Sequence, residues 1–154
     1  LVQCHAEGAG MKLPTPDTPL LGRKSWDQPC VVMDVDGTIC PAREEGQSYL
    51  DIEPYKGIVA QMRCYRMAGY YIILDTGRQM RTYAGNVGLI NANTLPVLIA
   101  WLKRHGIPYD EIHVGRPWPG SNGFNVCDRT IPPFYFQTKN SEEIEAWLES
   151  VKPV

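Results

Sequence analysis

The sequence predicts an α/β protein with a mostly parallel sheet wrapped by helices. Short β-branched runs alternate with segments of helical period, the order that builds strand–helix–strand units. Each run is closed by polar, chemistry-bearing residues, at the rim where parallel sheets bind their ligands. The chain's 154 residues, 44% hydrophobic and 21% charged, suit one domain with a real core.

Residues 1–28 carry no helical or strand period and are rich in Gly and Pro, as in "LPTPDTPLLG" at 13–22. They are expected to form an extended arm or the remnant of an upstream segment, with the domain proper over 29–154. "CVVMDV" at 30–35 reads as a first buried strand. Pro54–Ala68 reads as a helix, with Ile58, Val59, Met62, Tyr65 and Arg66 on one semi-buried face and Gly69 closing it. "YYIILD" at 70–75 is a second strand, followed by the polar loop "TGRQMRTYAGNVGLINA". Thr94 is placed to cap a helix that has Pro96 in its first turn, an inner face of Leu95, Leu98, Ile99 and Leu102, and a stop at Gly106. "EIHVG" at 111–115 and "FNVCD" at 124–128 read as third and fourth strands. The last helix is expected from Asn140 or Ser141, with Glu142 and Glu143 in its first turn and Ile144, Trp147, Leu148 and Val151 facing inward.

Composition argues against several partners. A net charge of −2 argues against nucleic acid, which demands clustered Lys and Arg. No apolar run approaches the roughly 20 residues that span a bilayer. Five cysteines without tight spacing make neither a disulfide framework nor a zinc site. They read as reduced thiols of a cytoplasmic protein.

The strand ends carry the functional signal. The first strand ends in Asp34-Val35-Asp36-Gly37-Thr38, the second in Asp75-Thr76-Gly77-Arg78, the third in Gly115-Arg116-Pro117 and the fourth in Cys127-Asp128-Arg129. Alternation along a strand points Asp34 and Asp36 the same way, about 6–7 Å apart. Such carboxylates repel, together with Asp128, and a divalent cation removes the cost. An all-oxygen ligand set favours Mg2+. A phosphate ester could then be attacked by Asp34 as nucleophile, with Asp36 as general acid and base. Gly37 allows the sharp turn, Thr76 and the amides beside Gly77 can hold phosphoryl oxygens, and Arg116 can stabilise their charge. The loops at 39–53 and 77–93 offer Arg43, Arg78, Arg81, Thr82, Tyr83 and Asn86 as substrate contacts. Asp75 reads as orienting Arg78 or capping its strand. His105 suits its helix end, and Trp118 offers a sugar-stacking ring near the rim.

"DVDGT", a strand ending in Thr, a basic residue before Pro, and a late Asp together resemble the haloacid dehalogenase-like (HAD) phosphatases, over about Cys30 to Phe136. That resemblance implies a three-layer Rossmann-like HAD fold. It also implies Asp34 as nucleophile, Asp36 as general acid and base, and Thr76 as phosphoryl holder. Mg2+ would be bound by the Asp34 carboxylate, the Asp36 backbone carbonyl and Asp128. A narrower stretch, "TGRQMRTYAGNVGLINANTLPVLIAWLKRHGIPYDEIHVGRPW" with "GFNVCDRTIPP", is similar to small bacterial capsular polysaccharide biosynthesis phosphatases, which implies a phosphorylated sugar as substrate. Arg116 stands where the family usually has Lys, and Cys127 where it often has a first acid. About 40 residues separate Asp36 from Thr76, and as many separate Thr76 from Arg116, so no cap domain fits. An uncapped site needs a second subunit, the arm or a bulky substrate to exclude water. Two rival readings stay open: a catalytically weakened phosphosugar-binding module, and a phosphatase acting on protein or nucleic-acid ends.

Overall fold

Three short strands make the sheet among the described residues, which are 27–151 of this computed structural model. The first 26 residues of the expected arm lie outside them. β1 (Cys30–Met33), β2 (Tyr71–Thr76) and β3 (Glu111–Val114) run parallel in the order β1-β2-β3. The expected α/β architecture with a parallel sheet is therefore present. The described residues fall into two compact units, 27–118 and 119–151.

In the first unit the registers Met33↔Leu74 and Leu74↔Ile112 put these residues on one face. Met33 and Leu74 are buried there, as is Ile72. On the other face Val32, paired with Ile73, is 61% exposed. α1 (Lys56–Met67) buries Ile58, Val59, Met62 and Tyr65, the expected apolar stripe. Arg66 leaves that stripe to pair with Asp110. Asp110 also accepts from the Ile72 N–H at 2.8 Å, which ties the approach to β3 onto β2.

The polar loop after β2 hides a helix. α2 (Val87–Asn93) starts where Asn86 accepts from the Leu89 N–H, and it buries Ile90. Only one turn and a half of it carries apolar residues, too few for its period to be read. Thr94 ends α2 and begins α3 (Leu95–His105) without capping it: its backbone is itself helical at φ −91° and ψ −45°, and its hydroxyl donates to Gln79. α3 buries Leu98, Trp101 and Leu102, whereas Ile99 is 41% exposed rather than inward. Its end is the expected one: Gly106 takes the left-handed conformation at φ +59°. A 3-10 turn over Tyr49–Asp51 packs on α3, with the Trp101 Nε1–H donating to the Ile52 carbonyl at 2.7 Å.

The second unit holds α4 (Pro133–Thr138) and α5 (Ser141–Ser150). Asn140 and Glu143 form a reciprocal capping box at the start of α5, where the sequence places it. Tyr135 and Trp147 stack at 4.7 Å between ring centres, and Val151 is exposed. The fourth strand expected over 124–128 is not formed. Phe124 and Val126 are 81% and 87% exposed. Their β propensity reflects packing on a pleated surface, and this short run, preceded by the turn at Gly120, has no such surface.

Cys64 is disulfide-bonded, which corrects the reading of five reduced thiols; an odd count argues against a framework but not against one bridge. Cys30, Cys40 and Cys127 take part in no disulfide. No helix among the described residues is long and apolar enough to cross a membrane.

Tyr71 ties β2 to β3 through its hydroxyl, which donates to Glu111 at 3.1 Å. Burial first, then the Glu111 carboxylate, pushes its pKa up to about 12. The folded value lies above the unfolded value of about 10. The stabilisation is therefore complete below pH ~10 and is lost as pH rises through 12. Urea midpoints of the wild type should fall across that window, and those of Tyr71→Phe should fall less. Parallel curves would remove Tyr71 from the alkaline transition.

Candidate active site

The turn after β1 fixes the two leading acids. Val35 is fully buried, and its carbonyl accepts from the N–H groups of Thr38, Ile39 and Cys40 at 3.2, 2.8 and 3.2 Å. The chain doubles back at Gly37, whose φ of +81° suits glycine, and the Gly37 N–H donates to the Cys40 carbonyl at 2.7 Å. Asp34 and Asp36 thus stand on either side of a buried anchor. Asp36 lies beyond the strand, so strand alternation does not govern it.

The two acids take different cations. Asp34 Oδ2 lies 3.2 Å from Arg116 Nη1, and its Oδ1 accepts from the Val35 N–H at 2.7 Å. Arg116 Nε stands 3.8 Å from Asp75 Oδ2. Asp34, Asp75 and Arg116 therefore meet at the carboxyl ends of the three strands. The Arg116 N–H donates to the Thr76 carbonyl at 3.2 Å, extending the β2–β3 pairing past the end of β3.

Asp36 is held by Arg78 instead. Nε reaches Oδ2 at 3.0 Å and Nη2 reaches Oδ1 at 2.7 Å, a two-pronged pair. Arg78, expected as a substrate contact, is only 4% exposed. Its guanidinium carbon lies 4.3 Å from the centre of the Tyr49 ring and 5.9 Å from that of Trp101. Cys40 Sγ lies 3.9 Å from Asp36 Oδ1.

The other expected residues are placed as follows. Thr76 is fully buried, and its Oγ1 accepts from the Arg78 N–H at 3.1 Å, leaving its own proton available. Gly77 closes on Arg116: a Cβ there would meet the Arg116 carbonyl oxygen at 3.0 Å. Gly77→Ala must push the Arg116 backbone away. It should cost about 1 kcal/mol in chemical denaturation and lower any activity that uses Arg116. A variant matching wild type in both would show that this approach is slack. Thr82 is exposed, and Asn86 spends its side-chain oxygen on the α2 cap. Asp128 is exposed in the 119–151 unit, at a turn rather than a strand end, beside the exposed Cys127. Tyr49 and Trp101 escaped notice as site neighbours, since nothing in the sequence reveals which loop covers Arg78. Asp75 was visible as a strand-end acid, but its arginine was not Arg78.

The electrostatics fit a bound cation. Burial holds the Asp34 carboxyl above its ordinary range, against the Val35 N–H and Arg116, and the Asp36 and Asp75 carboxylates push the same way. Three acids meet two arginines here, so the site retains a demand for positive charge. No three His, Cys, Asp or Glu side chains converge into a ready-made cage among the described residues. The residues fit a cation that also draws on backbone, water or phosphate oxygens, as Mg2+ does.

These features define an α/β protein with an acid–arginine cluster at the carboxyl rim of a parallel sheet. The chain is similar to the crystal structure of an MCSG target protein from Vibrio cholerae, with 42% identity and a TM-score of 0.77 over 80% of this chain and 99% of that one. It belongs to the same family as that protein. The sequence matches no protein-family model and no curated protein.

Proposed function

We propose that this chain is an HAD-like, Mg2+-dependent phosphomonoester hydrolase acting on a small phosphorylated metabolite. The observation that carries the reading is the Asp34 carboxylate at the carboxyl rim, beside Arg116 and two residues before Asp36. Asp34 attacks phosphorus; the P–O bond to the leaving group breaks, and that oxygen takes a proton from Asp36. Asp36 then removes a proton from water, which attacks the phospho-Asp34 and releases inorganic phosphate. Arg116 carries charge that develops on the phosphoryl oxygens, and the Thr76 hydroxyl donates to one of them. Mg2+ would be held by the Asp34 carboxylate, the Asp36 carbonyl and Asp128, and supplies charge neutralisation at the phosphoryl group. Asp128 enters this set on sequence resemblance alone.

The finer reading of the fold is the three-layer Rossmann-like HAD architecture without a cap. The resemblance to capsular polysaccharide phosphatases supports a sugar phosphate as substrate, in the cytoplasm. The disulfide at Cys64 runs against that compartment, where thiols stay reduced. A second copy of the chain is a fitting cover for an open site.

A phosphosugar-binding module without turnover is the second reading, supported by the soft Cys127 and by Asp128 lying outside any strand. A panel of phosphate esters with magnesium chloride separates the two. The enzyme reading expects phosphate release from sugar phosphates, faster than from phosphorylated peptides or DNA ends. Binding without release from any ester would support the module.

A further inference from the structure

The buried Arg78 is a poor substrate ligand but a well-built support. Its side chain is 1% exposed while that of Asp36 is 26% exposed, so the pair has a hidden half and an open half. The guanidinium occupies one lone pair on each Asp36 oxygen and the Cys40 thiol donates toward Oδ1, leaving Oδ2 with a second lone pair to carry the proton. Tyr49 lies against the guanidinium, and Cys40 Sγ stands 3.8 Å from Nη2, so the fork is packed as well as hydrogen-bonded. Its Nη1 is buried and has no hydrogen-bond partner among the described residues. An unmet buried donor is costly, and a buried ion pair stabilises no better than apolar packing. Stability alone therefore does not account for an arginine at this place.

We infer that Arg78 is the positioning residue for Asp36: it holds the open edge of that carboxylate toward the leaving-group oxygen. The inference rests on the phosphatase reading and adds a residue to it. Arg78 touches neither the phosphoryl group nor the leaving group. Its loss lets the Asp36 carboxylate swing, so proton delivery fails while attack by Asp34 continues. The damage then depends on how much the leaving group needs a proton.

Phenyl phosphate and p-nitrophenyl phosphate test this, because they share a shape while p-nitrophenoxide leaves readily as an anion and phenoxide does not. With magnesium chloride, Arg78→Gln should lower kcat/KM for phenyl phosphate about 100-fold or more, the low end of a general acid's contribution. For p-nitrophenyl phosphate the fall should stay under about 10-fold. Arg78→Lys keeps the charge but not the fork and should show the same split at about a tenth of the size. It carries the test if Arg78→Gln does not melt cooperatively. An equal fall on both esters, or no fall, in an active enzyme overturns this inference alone. A wild type that hydrolyses neither ester overturns the phosphatase reading and this inference with it.

Discussion

Asp34→Asn is expected to abolish phosphate release, by about 10⁴-fold or more, while leaving the fold in place. Removing a nucleophile takes away the covalent route altogether, and what remains is catalysis by positioning and charge. The substitution is otherwise gentle. Asparagine keeps the side-chain oxygen that accepts from the Val35 N–H. The pair it breaks is with a partly exposed Arg116, and such pairs contribute about 0–1 kcal/mol. Burial already works against charge at this position, so a neutral side chain suits the pocket. The variant should melt within a few degrees of wild type and still bind inorganic phosphate. Steady-state release from the best sugar phosphate, measured beside a thermal melt, checks both halves. Turnover within ten-fold of wild type would remove Asp34 as the nucleophile.

Trp101→Ala should be the most destabilising single change in the 27–118 unit. The indole is fully buried, and its N–H satisfies the Ile52 carbonyl. Truncation loses the transferred apolar surface, leaves a cavity and strands that carbonyl. Large aromatic-to-alanine changes of this kind cost about 3–5 kcal/mol. The effect should reach the site, because the ring also lies 5.9 Å from the Arg78 guanidinium carbon. Urea denaturation should show a large fall in midpoint with an unchanged slope. A loss under 1 kcal/mol would mean that α3 and the Tyr49–Asp51 turn pack without relying on this ring.

The parts of the fold that could be read in advance are those whose period runs long enough to repeat. α1, α3 and α5 show their apolar stripes or capping residues directly, and β1 to β3 are dense in β-branched residues. α2 could not be read, because its seven residues bury only Ile90 and its signal is the Asn86 cap alone. The segment 124–128 misled for the opposite reason: valine and phenylalanine favour a strand only where a neighbour covers them.

At the site, the strand-end acids were visible because parallel sheets bind at that rim. Their pairing was not. Arg78 and Arg116 both follow a strand end by one or two residues, and the sequence treats them alike. One is drawn under Tyr49 to Asp36, and the other stays at the surface between Asp34 and Asp75. That difference arises from a contact between residues 29 positions apart in the chain, Tyr49 and Arg78, which no local pattern encodes.

The covalent step is the centre of this account, and it can be caught chemically. An acyl phosphate on aspartate is reduced by borohydride to homoserine, whereas a free carboxylate is not. Enzyme mixed with magnesium chloride and a sugar phosphate that it hydrolyses, quenched during turnover and reduced, should yield peptides with homoserine at position 34. Turnover that continues with every aspartate intact, or with the mark on another residue, would contradict it.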